Sequence, residues 1–525
     1  MAPRADSLPT DPAELTQMVL ALKAENAELR VYADILRQMI FGAKSEKMAA
    51  LDSMQIALDL GDLSTLPLAA NDDGASGAGE ERSRRKRRSP SRNMGALLRH
   101  LPRYEEVIEP KSTICPCCSG TLHRIGEDVS EALDLVPALL RVIRTIRPKY
   151  ACRTCVAGVV QAPARLRVMD GGMATTALVA HVVVSKFAWH LPLYRQAQIF
   201  SGYGLDINRG TLGGWVARAA WWLRPLYDRL LSFIRSQPRL FCDETPLPRL
   251  DPGRKRTKIC QLWAQAVDDR PWQGPAPPAV GYVFAESRGT AEIESQLSAF
   301  GGVLQVDGYA AYKTLAKRRR KSNAAPLRLA FCLAHARRKF VEVVKTTNSA
   351  EALGVIATLA EVYRIESRIR GMDAETRLSV RRAESAPFMA ALKERLTAMV
   401  EEVSAKSALG KAAAYTLAHW QGLVAFLDDG RIEVDSNLVE RSIKSVCLTR
   451  KNALFARSRR GGETFAILAS LINTAKLNGL DPQIWLADVL ERIVSGAVPV
   501  NRLDSLLPWT WKAERDALGA GMLAA

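Results

Sequence analysis

The feature that most constrains the fold is a set of short apolar segments between residues 240 and 332. Residues 240–242 lead into Asp243, and residues 303–306 lead into Asp307. Further strand-like segments are found at 259–267, 280–284 and 327–332, and residues 291–300 have helical periodicity. The resulting order is three strands, a helix, a strand, a short helix and a strand. It predicts a mixed α/β domain.

This order of elements is that of a ribonuclease H-like sheet. The first and fourth strands of such a sheet lie side by side, so Asp243 and Asp307 are expected to face each other. Glu440 is the candidate for a third carboxylate, on a helix that follows. The interval from Asp307 to Glu440 is 440 − 307 = 133 residues, too long for the simple fold. Residues 341–429 are strongly helical and are predicted to be an inserted all-α domain.

The predicted division of this part of the chain is therefore a catalytic core in two pieces. The pieces are 237–340 and 430–485, on either side of the insertion, with a C-terminal segment at 486–525.

Three carboxylates so placed favour phosphoryl transfer. Hard oxygen ligands suit two Mg²⁺ or Mn²⁺ ions, which together stabilise the attacking and leaving oxygens at phosphorus. Any one of these residues alone would more often be a surface carboxylate or a helix cap. Several basic side chains in the same region are candidates for phosphate or DNA contacts: His335, Arg338, Arg441, Lys444, Arg450 and Lys451.

Charge and composition favour a nucleic-acid partner. The chain has 525 residues and a formal net charge of +18, so its surface should attract a polyanion, although a basic protein without such a partner is the alternative. No apolar run approaches the length of a membrane span or signal segment, so a cytoplasmic, nucleoid-associated bacterial protein without a membrane role is expected.

Leucines recur every seven residues from Leu15 to Leu36, and the interleaved positions complete an a/d seam. We interpret residues 10–48 as a leucine-zipper coiled coil, in which Asn26 at an a position would fix a parallel dimer. The protein would then be a homo-oligomer, at least a dimer. The alternative is an amphipathic helix that packs on its own domain.

Residues 70–98 are rich in Gly, Ser and Asp and end in a basic run, Arg84 to Arg88. With almost nothing apolar to bury, they are predicted to form a disordered linker. The basic run would either hold DNA phosphates or simply be solvated.

Two C-x-x-C pairs lie within residues 99–165: Cys115 with Cys118, and Cys152 with Cys155. Four thiolates can bind one structural Zn²⁺ tetrahedrally, and a chain without an export signal favours metal ligands over disulfides. Cys117 offers a competing thiol inside the first pair. We interpret this segment as a zinc-binding module.

Residues 170–236 are helical, with a break near Gly202 to Asp206. A second helix starting near Asn208 would give a helix-turn-helix that presents Arg209 to DNA. The weak point of this interpretation is Gly213-Gly214, which costs such a helix about 2 kcal/mol in propensity. A helical hairpin without DNA contact is equally compatible with the pattern.

The chain also resembles the transposases of the insertion sequence 66 group. The resemblance lies in strings spread in one order over nearly the whole chain: Phe41–Lys47 (FGAKSEK), Lys149–Cys155 (KYACRTC), Lys186–Gln198 (KFAWHLPLYRQAQ), Asp243–Pro246 (DETP), Leu250–Arg254 (LDPGR), Val306–Tyr309 (VDGY), Ala334–Phe340 (AHARRKF), Glu440-Arg441, Arg450–Asn452 (RKN), Thr474–Pro482 (TAKLNGLDP) and Leu507–Trp509 (LPW).

The resemblance implies a transposase with the acidic triad of the DDE class at Asp243, Asp307 and Glu440. Such an enzyme would nick the 3′ ends of its own element and join the freed hydroxyls to target DNA. The family also implies a zipper, a zinc-binding segment, a helical insertion and small accessory proteins as partners. A catalytically decayed copy acting as a DNA-binding protein or repressor is the alternative, as is a nuclease that cuts without joining.

The cysteine pattern makes a direct prediction about zinc. The purified chain should contain one zinc per chain by metal analysis, because Cys115, Cys118, Cys152 and Cys155 complete a tetrahedral set. Cys118→Ser should lose this zinc and Cys117→Ser should keep it. The reverse result would move the first pair by one residue.

Overall fold

A computed structural model describes residues 149–151, 159–161, 166–169, 172–254, 256–322 and 325–523. The predicted zipper (10–48), the linker (70–98) and all four predicted zinc ligands lie outside these residues. The chain divides into two compact units, one of residues 71–162 and one containing everything from 163 onward.

In the smaller unit, strands β1 (Lys149–Ala151) and β2 (Val159–Gln161) form an antiparallel hairpin in which Tyr150 pairs with Val160. The second cysteine pair, at 152 and 155, falls between these two strands in the sequence.

The larger unit contains one five-stranded sheet in the order β5-β4-β3-β6-β7. Its strands are β3 (Arg239–Asp251), β4 (Arg256–Val267), β5 (Ala279–Ala285), β6 (Gly302–Val306) and β7 (Leu327–Phe331). The pairs β3–β4 and β4–β5 are antiparallel, whereas β3–β6 and β6–β7 are parallel. The first and fourth strands of this sheet are therefore neighbours, as the order of elements predicted.

Helices surround the sheet and follow its last strand. Before and within the sheet are α1 (Thr176–Phe187), α2 (Leu193–Gly202), α3 (Arg209–Ser236), α4 (Thr290–Gln296) and α5 (Ala310–Ser322). After β7 come α6 (Leu333–Thr347), α7 (Ala350–Ile369), α8 (Ala374–Val380), α9 (Ala386–Glu402), α10 (Ala408–Ala418) and α11 (Trp420–Leu423). The last group is α12 (Asn437–Ala453), α13 (Arg459–Leu477), α14 (Pro482–Val494) and α15 (Pro508–Leu523). Within the part of the chain that is described, no helix combines the length and apolar character needed to cross a membrane.

The two faces of the sheet carry different helices. Asp243, Ala264 and Tyr282 form one cross-strand row, and the Tyr282 hydroxyl donates to the Ser442 carbonyl of α12 at 2.8 Å. The next row pairs Glu244 with Trp263, and the Trp263 ring packs edge to face against Tyr312 of α5. Because neighbouring residues of a strand point to opposite faces, Asp243 faces α12 while Glu244 faces α5.

Helix α13 covers the edge strand β5. The Tyr282 backbone N–H donates to Ser470 Oγ at 2.7 Å, and the Val280 N–H donates to Thr474 Oγ1 at 3.1 Å. The Thr474 hydroxyl in turn donates to the Val280 carbonyl at 2.9 Å. Buried hydroxyls on a helix thus take the place of a sixth strand and satisfy an edge that would otherwise be open to another chain.

Helix α3 begins where the sequence placed it. Asn208 is its N-cap and accepts from the Thr211 N–H at 2.9 Å, and the helix continues for 28 residues despite Gly213-Gly214. A stripe of buried side chains from Leu212 to Ile234 packs into the same hydrophobic core as the sheet. Packing therefore outweighs the low helix propensity of the two glycines.

The helices after β7 have a second hydrophobic core, and a buried ionic cluster lies among them. Arg381 Nε and Nη2 donate to the two oxygens of Glu366 at 2.7 Å each, and Arg377 Nη2 donates to Glu433 at 2.7 Å. Burial opposes ionisation of Glu433, but the guanidinium groups of Arg377, Arg381, Arg239 and Arg370 outweigh it and lower the pKa of Glu433 to about 2.

We expect Glu366→Gln to destabilise the protein by about 3–5 kcal/mol in urea unfolding, because it leaves the buried Arg381 guanidinium without its acid and Arg377 with Glu433 alone. The control is Glu384→Gln, since Glu384 is 45% exposed beside Arg368. A surface pair of that kind contributes about 0–1 kcal/mol. Equal losses for the two variants would show that the buried cluster is not a major source of stability.

Candidate active site

The register of β3 against β6 brings the two predicted aspartates level with each other. Arg239 pairs with Val303 and Phe241 with Gln305, an offset of 303 − 239 = 64 residues. The same offset separates the aspartates, since 307 − 243 = 64. Asp243 and Asp307 therefore occupy equivalent positions just beyond the last pair of the parallel ladder.

The sequence suggested that the first strand ends at Asp243, but in the structure the strand continues beyond this residue. β3 continues to Asp251 in antiparallel pairing with β4, while β6 stops at Val306. The prolines at 246 and 248 obscured this continuation. Leu250 N–H donates away from β4, to the Ala456 carbonyl at 2.9 Å, so N–H groups at alternate positions point away from the ladder. Proline is tolerated there because no ladder bond is lost.

The Asp243 carboxyl is strongly perturbed. Burial is the main cause, with Glu244, Asp307 and Glu440 adding like charge, and together they raise the pKa of Asp243 to about 8 against a hydrogen bond from the Glu244 N–H. Asp307 and Glu440 therefore both lie within electrostatic range of Asp243. Among the described residues, no ion-pair partner of Asp243 offsets this repulsion.

Asp307 lies in a tight turn at the end of β6. Its Oδ1 accepts from the Tyr309 N–H at 2.8 Å, and the Tyr415 hydroxyl donates to its backbone carbonyl at 3.2 Å. Gly308 between them has φ +97°, and a Cβ there would lie 3.0 Å from the ring of His419. Only glycine fits both the backbone angle and the space.

Glu440 lies in the first turn of α12, and its carboxylate lies close to two basic side chains of α6. Its Oε1 is 3.5 Å from His335 Nδ1, and its Oε2 is 3.6 Å from Arg338 Nη2. The Ser436 hydroxyl donates to the same carboxylate at 3.2 Å. His335 and Arg338, predicted as phosphate contacts, are thus placed beside the third carboxylate. Burial is the main cause of the lowered pKa of His335.

The remaining predicted contacts are spread along α12 and beyond. Lys444 and Lys451 are exposed on α12, and Arg209 is exposed at the start of α3. Arg441 lies on another side of α12, near the buried Asp435. Burial raises the pKa of Asp435 to about 8, and the charge of Arg441 opposes this rise only in part. Arg450 is turned toward β3, where its Nη1 donates to the Thr245 hydroxyl at 3.2 Å and to the Pro246 carbonyl. Contact of these residues with DNA stays a prediction.

The structure adds residues that the sequence did not identify. A cleft of about 310 Å³ opens beside the acidic residues. It is lined by Asp307, Gly308, Tyr309, His335, Arg338, Lys339, Glu342 and Tyr415. Tyr415 comes from the helical segment after β7, 108 residues from Asp307. No local sequence pattern therefore indicates that it lines the cleft.

One alternative ligand set lies at the same place. Single donor atoms of Cys332, His335 and Glu440 lie within 4.8 Å of one another. Burial raises the pKa of the Cys332 thiol to about 12, so this sulfur stays protonated near neutral pH. Sulfur is also a soft donor, which suits Zn²⁺ better than Mg²⁺ or Mn²⁺. The donor set of Asp243, Asp307 and Glu440, with oxygen atoms alone, fits a hard divalent cation better.

Asp243 makes stability depend on pH in a defined direction. Its pKa is about 8 in the folded chain and 3.8 ordinarily, so stability is lost as the pH rises between these values. In chelator, Asp243→Asn should therefore melt several degrees above the unaltered protein at pH 9 and close to it at pH 4. Added Mn²⁺ should remove the difference at pH 9 by stabilising the unaltered protein.

The contrasting variant is Glu286→Gln. A hydrogen bond from Lys258 lowers the pKa of Glu286, so neutralising this carboxylate should not raise the melting temperature at pH 9. If both variants shift the melting temperature alike, the effect is one of net charge and not of the acidic cluster.

Comparison with known proteins identifies the family of the chain. A family model described as Transposase IS66 family matches residues 171–464, and models for the zinc-finger binding domain of transposase IS66 and the IS66 C-terminal element match 112–156 and 470–509. A model described as Transposase C of IS166 homeodomain matches 28–105.

Curated relatives match over almost the full chain. Uncharacterized protein y4jD of Sinorhizobium fredii (strain NBRC 101917 / NGR234) is 66% identical, covering 98% of this chain and 99% of the relative. Uncharacterized protein y4qI of the same strain is 40% identical, with coverage of 98% and 99%. The matched segments together span the zipper-like, zinc-finger, α/β and C-terminal parts of the sequence, and the chain belongs to the IS66 family of transposases.

Proposed function

We propose that the protein is an active DNA transposase in which Asp243, Asp307 and Glu440 are the catalytic carboxylates. The observation that carries the proposal is the equivalent placement of Asp243 and Asp307 on adjacent parallel strands, with Glu440 within electrostatic range of Asp243. Family membership supplies the substrate class, which is DNA.

The fold that best accounts for the sheet is ribonuclease H-like. The strand order β5-β4-β3-β6-β7, with three antiparallel strands followed by two parallel ones, supports it. The helices after β7 would be an all-α insertion within that core, and α12 would return the chain to the site with the third carboxylate.

The acidic residues fit a pair of divalent cations, Mg²⁺ or Mn²⁺. The fit rests on the chemistry of three oxygen donors and on the raised pKa of Asp243, which is due mainly to burial and in part to the neighbouring carboxylates. A bound cation would offset both effects. When bound, the cations would lower the barrier by stabilising charge on the attacking and leaving oxygens. Asp243, Asp307 and Glu440 would hold them.

Basic residues around the cleft would hold the DNA backbone. Arg338 lies 3.6 Å from Glu440, close enough for the same guanidinium to reach a phosphate bound at the carboxylates. His335 lies beside it and would donate to a phosphate oxygen when protonated. Lys444 and Lys451 would extend the contact along α12 as point charges without sequence preference.

Two substitutions at phosphorus would make up the reaction. In the first, a water oxygen bonds to phosphorus at the element's 3′ end and the bond from phosphorus to the 3′ oxygen breaks, leaving a free hydroxyl. In the second, that hydroxyl oxygen bonds to a target phosphorus and the target's own 3′ oxygen leaves. Both are in-line displacements, so one set of carboxylates serves each step.

The remaining parts would organise the DNA. We propose that Cys115, Cys118, Cys152 and Cys155 bind one structural Zn²⁺, consistent with the zinc-finger match over 112–156. The zipper would pair two chains, and with them two element ends, in a homo-oligomer. Accessory proteins of the same element are possible additional partners.

Asp243→Asn, Asp307→Asn and Glu440→Gln should each reduce cleavage and strand transfer below detection while binding to element-end DNA stays within about twofold, because each removes a ligand charge at nearly constant size. The assay uses labelled DNA from the element's ends, a target plasmid and Mn²⁺. Near-normal cleavage by any one variant would remove that residue from the proposed set.

A matched control is Asp428→Asn, an exposed carboxylate paired with Arg328 on the surface. It should cleave and join like the unaltered protein. The same assay separates the alternatives: a nuclease yields cut ends without joined products, and a decayed copy yields neither while still binding DNA.

A further inference from the structure

A guanidinium group that the sequence did not single out lies beside the acidic residues. Arg288 follows β5 in the loop that leads to α4. Its Nε donates to Glu244 Oε1 at 2.6 Å, and its Cζ lies 4.0 Å from the centre of the Tyr309 ring. The Tyr309 hydroxyl closes the arrangement by donating to the Arg288 carbonyl at 3.0 Å. One edge and one face of the guanidinium are thereby fixed.

The partner carboxylate is buried although the arginine is not. The Glu244 side chain is 2% exposed and the Arg288 side chain 51% exposed. Glu244 also accepts from the Tyr312 hydroxyl at 3.2 Å. A carboxylate anchored from within the protein thus holds an arginine whose outer side faces solvent, which lowers the entropy that the arginine would lose on binding a ligand.

Glu244 and Tyr309, the two residues that hold Arg288, are both connected to the predicted catalytic aspartates. Glu244 directly follows Asp243 on β3, and the Tyr309 N–H donates to Asp307 Oδ1 at 2.8 Å. Asp307 also contributes to the raised pKa of Arg288, after the opposing effect of burial and the favourable contact with Glu244. Arg288 therefore lies at the rim of the acidic cluster.

We propose that Arg288 binds a non-bridging oxygen of the DNA phosphate that is cleaved, and that Glu244 and Tyr309 are positioning residues for it. The proposal rests on the proposed function. Three carboxylates repel a phosphodiester, and a fixed guanidinium beside them supplies positive charge that does not depend on pH near neutrality. Arginine also presents two parallel N–H groups in a fixed plane to one phosphate, whereas a lysine ammonium acts as a point charge.

A second arginine provides a matched control. Arg515 of α15 is 45% exposed, lies 3.0 Å from Asp488 Oδ1, and has its Cζ 4.9 Å from the Trp511 ring centre. It has the same combination of carboxylate, aromatic ring and solvent, but its partners are on the C-terminal helices and not on the strands that carry the aspartates.

The experiment measures binding of the full-length protein to element-end DNA in chelator, where cleavage is not required. Two duplexes are compared, one unmodified and one with a single neutral methylphosphonate in place of the cleaved phosphate. For Arg288→Ala we expect the slope of log K against log salt to fall by about 1, and the response to the methylphosphonate to be smaller than in the unaltered protein. Arg515→Ala should behave like the unaltered protein in both respects.

Two further variants test the positioning. Arg288→Lys should keep most of the salt slope but lower the rate of cleavage, since the charge remains and the two-point geometry does not. Glu244→Gln should weaken binding of the unmodified duplex while binding of the methylphosphonate duplex stays unchanged, a result that a purely structural role would not give.

The outcomes also separate this inference from the proposed function. In Mn²⁺, Arg288→Ala should lower kcat/KM for cleavage by about 100-fold or more. An unaltered salt slope and a preserved methylphosphonate response in Arg288→Ala would overturn the inference even if the unaltered protein cleaves. A lower salt slope and a smaller methylphosphonate response in Arg288→Ala, in a protein that never cleaves, would support the phosphate contact and refute the catalytic proposal.

Discussion

The parallel pairing of β3 with β6 is the constraint on which the site depends. The ladder fixes an offset of 64 residues and ends at the pair Phe241 and Gln305. Beyond that point β3 stays paired with β4 but no longer with β6. Strands β3 and β6 therefore separate where Asp243 and Asp307 occur. The sheet thereby brings two carboxylates together at a partly buried place. Burial is the main cause that raises the pKa of Asp243 to about 8, and the neighbouring carboxylates add to it.

A buried polar network carries this constraint to the third carboxylate. Gln305 of β6 accepts from the Glu433 N–H at 3.1 Å and donates to the Glu433 carbonyl at 2.9 Å. The segment that leads into α12 is therefore tied to the strand that carries Asp307, and Arg377 holds the Glu433 side chain from the helical segment. Glu440 follows seven residues later, so its position depends on hydrogen bonds across more than a hundred residues of sequence.

Local signals in the sequence predicted the parts that depend on local physics. The continuous apolar runs before Asp243 and Asp307 indicated buried strands, and Asn208 indicated the start of a helix. The extension of β3 was missed, because prolines usually argue against a strand. Tyr415 and Arg288 were missed for a different reason. Their contacts with the site join distant segments, and no periodicity in a single sequence encodes such a contact.

The surroundings of Asp243 and Glu440, two of the three proposed catalytic carboxylates, are unequal. Asp243 has neighbouring carboxylates and no ion pair among the described residues, whereas Glu440 has His335 and Arg338 within 4 Å. In the proposed function, Arg338 and His335 are also the residues that would hold a phosphate. A phosphate bound there would compete with Glu440 for the N–H groups of these two side chains. Binding of DNA would then free Glu440 as a metal ligand at the moment when the substrate is in place, which couples substrate binding to completion of the site.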